Sequence, residues 1–133
     1  MGETCPVMDE SEVRQIEVAL AQAGWAEHAR LEREFRVWSR LAQEVNAYIA
    51  TVDDYTNDLC SRDYIAEFAA RASCGLRTAI EERVSPADET FRGATVGDDD
   101  ARLGRHFRID QESAWWWHRR PSSGPLADYL AVE

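Results

Sequence analysis

Apolar and polar positions alternate along this chain with the period of helices for about its first ninety residues, and the pattern changes near the C-terminus. Val13, Ile16, Leu20 and Ala23 recur at steps of three and four, the spacing that puts side chains on one helical face. Asp9 and Glu12 stand as a capping box ahead of them, with Met8 and Val13 placed for a hydrophobic staple. Gly24 supplies the left-handed residue that ends the helix, so Trp25 folds back on Leu20. A second helix is carried by Leu31, Phe35, Trp38, Ala42, Val45, Ile49 and Val52, a heptad-like seam of about six turns. Val37, Leu41 and Tyr48 widen its apolar face, so the bundle encloses it or a homodimer covers it.

The polar run "DDYTNDLCSRD" at 53–63 reads as a corner between helices. Ile65, Phe68, Ala69, Ala72, Leu76, Ala79, Ile80 and Val84 then resume a helical period that Ser73, Cys74 and Gly75 divide in two. Ser85, Pro86 and Asp88 form a restart signal: an N-cap, a proline at the first helical position and an acid in the first turn, with Phe91 as the anchor of a short helix. "VGDDDA" belongs in solvent. Beyond Leu103 the segments "RHFRID" and "AWWWHRR" alternate in the manner of strands, which predicts a short β-hairpin within 105–119. In that conformation Trp115 and Trp117 face the core and Trp116 faces out. The competing reading is a helix from Asp110 that Pro121 terminates. "PLADYLAVE" predicts a last helical stub with Leu126, Tyr129 and Leu130 inward.

These elements predict an all-α fold: one domain over residues 1–133, a bundle of four to five helices with an aromatic, partly extended C-terminal segment. Residues 1–8 form a flexible N-terminal arm and 98–125 a C-terminal cap. A chain of 133 residues can bury about two thirds of its unfolded surface, enough for a core without staples.

Charge narrows the function classes. The formal net charge is −10, and all fifteen basic residues are arginine, which excludes lysine bases, Schiff-base chemistry and P-loop phosphate binding. Residues 1–60 carry twelve acids against five arginines, residues 61–97 six against five, and residues 98–133 seven against five. Nucleic acid is an unfavourable partner for such a field, whereas a basic protein is a natural one. Three cysteines without a close pair point to a reducing setting, and the absence of an apolar run of membrane length to no membrane partner, so a cytoplasmic location is expected.

Two stretches carry candidate binding chemistry. In the 53–63 run, Asp54, Tyr55, Asn57, Asp58 and Arg62 gather more recognition chemistry than a turn needs. Near the C-terminus, Trp116, His118, Arg119 and Arg120 combine the residue types that dominate interface hot spots. Catalytic motifs are absent. Asp54, Thr56 and Asp58 imitate the start of a calcium loop, but Leu59 replaces its glycine and Ile65 its bidentate acid. The histidines have no ligand spacing for zinc, so no metal or cofactor is expected. Cys60 and Cys74 could act as nucleophiles only with a histidine beside them, and Cys74, among small residues, reads rather as a core packer. The acidic patch at 53–63, with its tyrosines, resembles in composition and size what inhibitor and immunity proteins use against basic active sites. The expectation is a non-catalytic cytoplasmic binding protein of the immunity, antitoxin or regulatory-partner kind, or else a small anion-binding protein or enzyme built on the Trp and Arg segment.

Overall fold

Asp9 opens the first helix: its Oδ1 accepts from the Ser11 and Glu12 amides at 3.0 and 3.1 Å. The computed structural model describes residues 9–47, 52–98 and 114–131, so Met8 and the expected N-terminal arm lie outside it. Glu12 does not close the capping box. Its carboxylate accepts from the Ser73 amide at 2.7 Å and the Ser73 hydroxyl at 2.8 Å, tying the start of α1 (Glu10–Gln22) to a distant corner. At the other end Gly24 takes φ 108°, the Trp25 amide donates to the Leu20 carbonyl at 3.0 Å, and the indole meets Tyr64 edge-on at 5.7 Å.

The second helix, α2 (Leu31–Glu44), has no side-chain cap of its own. Buried Glu17 of α1 supplies one, accepting from the Leu31 amide at 3.1 Å. Leu31, Phe35, Trp38, Leu41, Ala42 and Val45 are buried, and Val37 on the flank is half-buried. The helix is shorter than the seam suggested, passing into a 3-10 turn at Val45–Ala47; Tyr48 and Ile49 lie outside the described residues.

The expected corner at 53–63 is instead the first half of a twenty-residue helix, α3 (Val52–Arg71). Its polar residues conceal an inward stripe of Tyr55, Leu59, Arg62, Ile65 and Phe68, and burial of that stripe outweighs the turn preference of its neighbours. Ser73 then caps α4 (Cys74–Ala94), accepting from the Leu76 amide. Cys74 in its first turn is exposed, so it is not a core packer. The helix also runs straight through Pro86, where a restart was expected. Pro86 is exposed, and Leu76, Ile80, Val84, Asp88 and Phe91 continue one buried stripe that a break would disrupt.

Asp88, far from being a wet first-turn acid, lies at the centre. It accepts from Trp38 Nε1 at 2.9 Å and, bidentately, from Arg62 Nε and Nη2, each at 2.9 Å. Trp38 packs on Phe91 with ring centroids 4.7 Å apart.

The chain ends as a strap across the bundle. The strands β1 (Thr95–Gly97) and β2 (Arg119–Pro121) pair antiparallel, Val96 opposite Arg120. This is the short antiparallel pair near the C-terminus, with its partner strand before the expected stretch; residues 105–113 lie outside the description. A 3-10 turn at Trp115–His118 precedes β2, and α5 (Pro125–Ala131) follows, sending Leu126 and Leu130 into the core; the Tyr129 side chain lies outside the described residues. Gly124, φ 92°, passes so close to the end of α2 that a Cβ there would lie 1.7 Å from the Asn46 carbonyl oxygen. Asp98, expected in solvent, is paired with Arg120 at 2.8 Å; Asp99 and Asp100 fall outside the described residues.

Removing the central acid should unbalance two partners at once. Asp88→Ala is expected to cost about 3–5 kcal/mol in chemical denaturation, because it leaves a buried guanidinium and a buried indole N–H without an acceptor. Glu81→Ala on the exposed side of the same helix should change stability by less than about 0.5 kcal/mol.

Candidate functional site

The two groups of candidate binding residues meet at two contacts, Tyr55 with Arg119 and Arg62 with Trp116. Asp54 lies in the first turn of α3, its side chain outside the description. Tyr55, one residue on, is fully buried and donates from its hydroxyl to the Arg119 carbonyl at 2.9 Å, so it anchors the strap and is not a surface contact. Arg62 also points inward, bound to Asp88 and stacked 4.4 Å over the Trp116 ring. Asn57 and Asp58 line one open cleft, and Arg62, with Trp116, borders another.

In the strap, the order of the tryptophans is the reverse of the alternation expected. Trp116 is 4% exposed, whereas Trp115 and Trp117 are half-buried. A 3-10 turn does not alternate faces, and one acceptor draws two indoles the same way: Asp63 accepts from Trp116 Nε1 at 2.8 Å and from Trp117 Nε1 at 2.9 Å. Burial pushes the Asp63 carboxyl above its usual range; the two indole donors and Arg62 oppose that shift without cancelling it. The cationic groups near it are engaged. Arg119 donates to the Thr95 hydroxyl at 2.7 Å and to the Arg92 and Thr95 carbonyls, Arg120 holds Asp98, and Arg92 covers the Trp115 ring at 4.0 Å. His118 is half-buried, its carbonyl accepting from the Asp98 amide. The segment is therefore built as a clasp, with its arginines directed at the protein.

The open space that Asn57 and Asp58 line is a cleft of ≈ 380 Å³. One wall is α2, with Arg33, Glu34, Val37 and Arg40; the other is α3, with Asn57, Cys60, Ser61 and Tyr64; the loop before α2 closes one end with Trp25 and His28. Glu34 and Tyr64 are 5% and 3% exposed. The Glu34 Oε2 accepts from Arg33 at 2.8 Å. The Tyr64 hydroxyl is buried without any hydrogen-bond partner, and burial together with the Glu17 and Glu34 carboxylates pushes its pKa up to about 12. An interior hydroxyl left unpaired costs about 1–3 kcal/mol. Glu17 and Glu34 were legible as inward positions, since each falls three or four residues from apolar members of its helical stripe. Nothing local distinguishes Tyr64, Asp63 or Asp88; the hydrogen-bond partners of the two acids lie on other elements.

His28 and Cys60 share this cleft, the juxtaposition a thiol nucleophile would need. They make no hydrogen bond to each other, and desolvation, then the Asp63 carboxylate, push the thiol up, which keeps it protonated. Among the described residues no group of three or more metal-ligating side chains is gathered, and no helix is long and apolar enough to cross a membrane. No family model, no curated protein and no solved structure matches the chain.

The clasp makes three tests. Trp116→Ala should cost about 3–5 kcal/mol, more than Trp115→Ala or Trp117→Ala, the order following burial. Asp63→Ala, which strands two indole donors, should cost about 2–4 kcal/mol, while Asp63→Asn retains an acceptor and should cost less than about 1 kcal/mol. Because the folded carboxyl binds its proton more tightly than the unfolded one, its contribution is fully present below the unfolded pKa and is lost as pH rises through the folded value. The wild type should therefore lose stability relative to Asp63→Asn across that window, with a carboxyl ¹³C titration of Asp63 centred above 3.8.

Proposed function

We propose that this chain is a non-catalytic binding protein of the immunity, antitoxin or regulatory-partner kind, acting in the cytoplasm and recognising a basic protein through its carboxylates. One observation carries the reading: the two signs of charge are used differently. The guanidinium groups of Arg30, Arg62, Arg77, Arg119 and Arg120 are each held on an acceptor of the protein itself. Among the described residues Glu10, Glu27, Glu44, Glu81, Glu82, Glu89 and Asp128 are exposed, and their carboxylates have no partner. Among the described residues these carboxylates face solvent, whereas Arg62, Arg119 and Arg120 are half-buried on acceptors of the protein. Three of these acids, Glu81, Glu82 and Glu89, share the outer side of α4 with Thr78, Ser85 and Pro86. Such a face steers a basic partner and speeds its capture. The exposed thiols of Cys60 and Cys74 suit a reducing compartment.

Affinity capture from extract of its own cell, followed by stopped-flow association with the purified partner, tests this reading. A basic protein should be recovered at low salt, and reversing Glu81, Glu82 and Glu89 to arginine should slow association by about tenfold or more with little change in stability. Recovery of no basic protein, or association indifferent to both salt and reversal, would refute it.

A further inference from the structure

The cleft between α2 and α3 contains hydrogen-bonding capacity that the fold does not use, arranged by sign. Its volume, ≈ 380 Å³, falls within the range of small-molecule sites, about 300–1,000 Å³. In its buried part, the Tyr64 hydroxyl has no partner, and Glu34 takes its one hydrogen bond, from Arg33, at Oε2, leaving Oε1 free among the described residues. Those groups accept from a cation. In its exposed part stand Arg40 and His28, neither with a hydrogen bond or ion pair among the described residues, and those groups donate to an anion. Val37 and Trp25 supply apolar wall. Arg33 and Arg40 balance Glu34 and Asp58, so neither a simple cation nor a simple anion matches the cleft as a whole.

We propose that this cleft binds a small amino acid as its zwitterion, the ammonium on Glu34 Oε1 and the Tyr64 hydroxyl, the carboxylate on Arg40 and His28, and an apolar side chain against Val37 and Trp25. The site goes beyond recognition of a basic protein and stands without it: its acceptors lie inside the bundle, whereas the unpaired surface carboxylates of α4 lie on another face. Tyr64 has a place in this account that packing alone does not give it. Its ring serves the core, but its hydroxyl serves nothing within the fold.

Isothermal titration of the purified chain with L-phenylalanine, beside phenethylamine and 3-phenylpropionate, tests the assignment. L-Phenylalanine should bind saturably with a dissociation constant on the order of millimolar or tighter, and each analogue, lacking one charged end, about tenfold or more weaker. Glu34→Gln and Arg40→Gln should each weaken L-phenylalanine by a similar factor. Tyr64→Phe is the decisive variant, because it removes a hydroxyl with no internal partner: the midpoint of unfolding should hold or rise while affinity falls about fivefold or more. No saturable binding of L-phenylalanine, binding of either analogue as tight as that of L-phenylalanine, or wild-type affinity in both Tyr64→Phe and Glu34→Gln would overturn the assignment. The titration contains no protein partner, so its outcome is separate from that of the capture experiment.

Discussion

The carboxylate of Asp88 is the constraint on which the arrangement of the helices depends. It sits on α4, receives an indole N–H from α2 and a bidentate guanidinium from α3, and so fixes three helices against one another with directional bonds. A buried ion pair of this sort adds little net stability over an apolar replacement, but it is costly to break, and it specifies position. With Asp88 in place, Phe91 comes to rest on Trp38 and Arg62 lies flat over Trp116, so the strap is joined to the same centre. The same constraint explains the passage of α4 through Pro86. Two residues before its most important contact, the helix has to keep its register.

What could be read from the sequence was what is locally encoded. The Asp9 cap, the Gly24 stop with Trp25 folding back, the division at Ser73 and the inward stripe of α2 all depend on residues within a turn or two of each other. The helix α3 was concealed because its outward positions carry residues that favour turns, while the stripe of Tyr55, Leu59 and Ile65 beneath them gains its value from surfaces contributed elsewhere. The tryptophans failed for a related reason. Alternation assumes an extended chain, and the actual geometry is set by an acceptor more than fifty residues away. Of the candidate residues, Asn57 and Asp58 line the cleft, whereas Tyr55, Arg62, Trp116 and Arg119 proved to be structural attachments.

This division has a common basis in how the two signs of charge are hydrated and held. Guanidinium is planar, weakly hydrated and able to make several directed bonds, so it suits carbonyls, carboxylates and ring faces inside a small domain. A chain with arginine as its sole cation can lock its elements together with these groups, as at Asp88, Thr95 and Asp98. Other carboxylates define the electrostatic exterior, while Asp63, Asp88 and Asp98 hold the elements together and Glu17 and Glu34 are drawn inward beside Tyr64. In the cleft that separation breaks down, and groups of both signs face open space together.

The strap has a consequence for the order of events during synthesis. Its attachments are the Tyr55 hydroxyl, the Asp63 carboxylate, the Thr95 side chain and the Asn46 side-chain oxygen, all on segments translated earlier. A nascent chain leaving the ribosome therefore presents four helices whose shared end is still open, with Asp63 hydrated and its seats for Trp116, Leu126 and Leu130 vacant. Loop closure over long sequence separation is the slow part of folding for such topologies. Translation itself thus sets a delay: the helical bundle waits for its last residues, and a stall or truncation ahead of residue 114 would release a chain with an exposed apolar end.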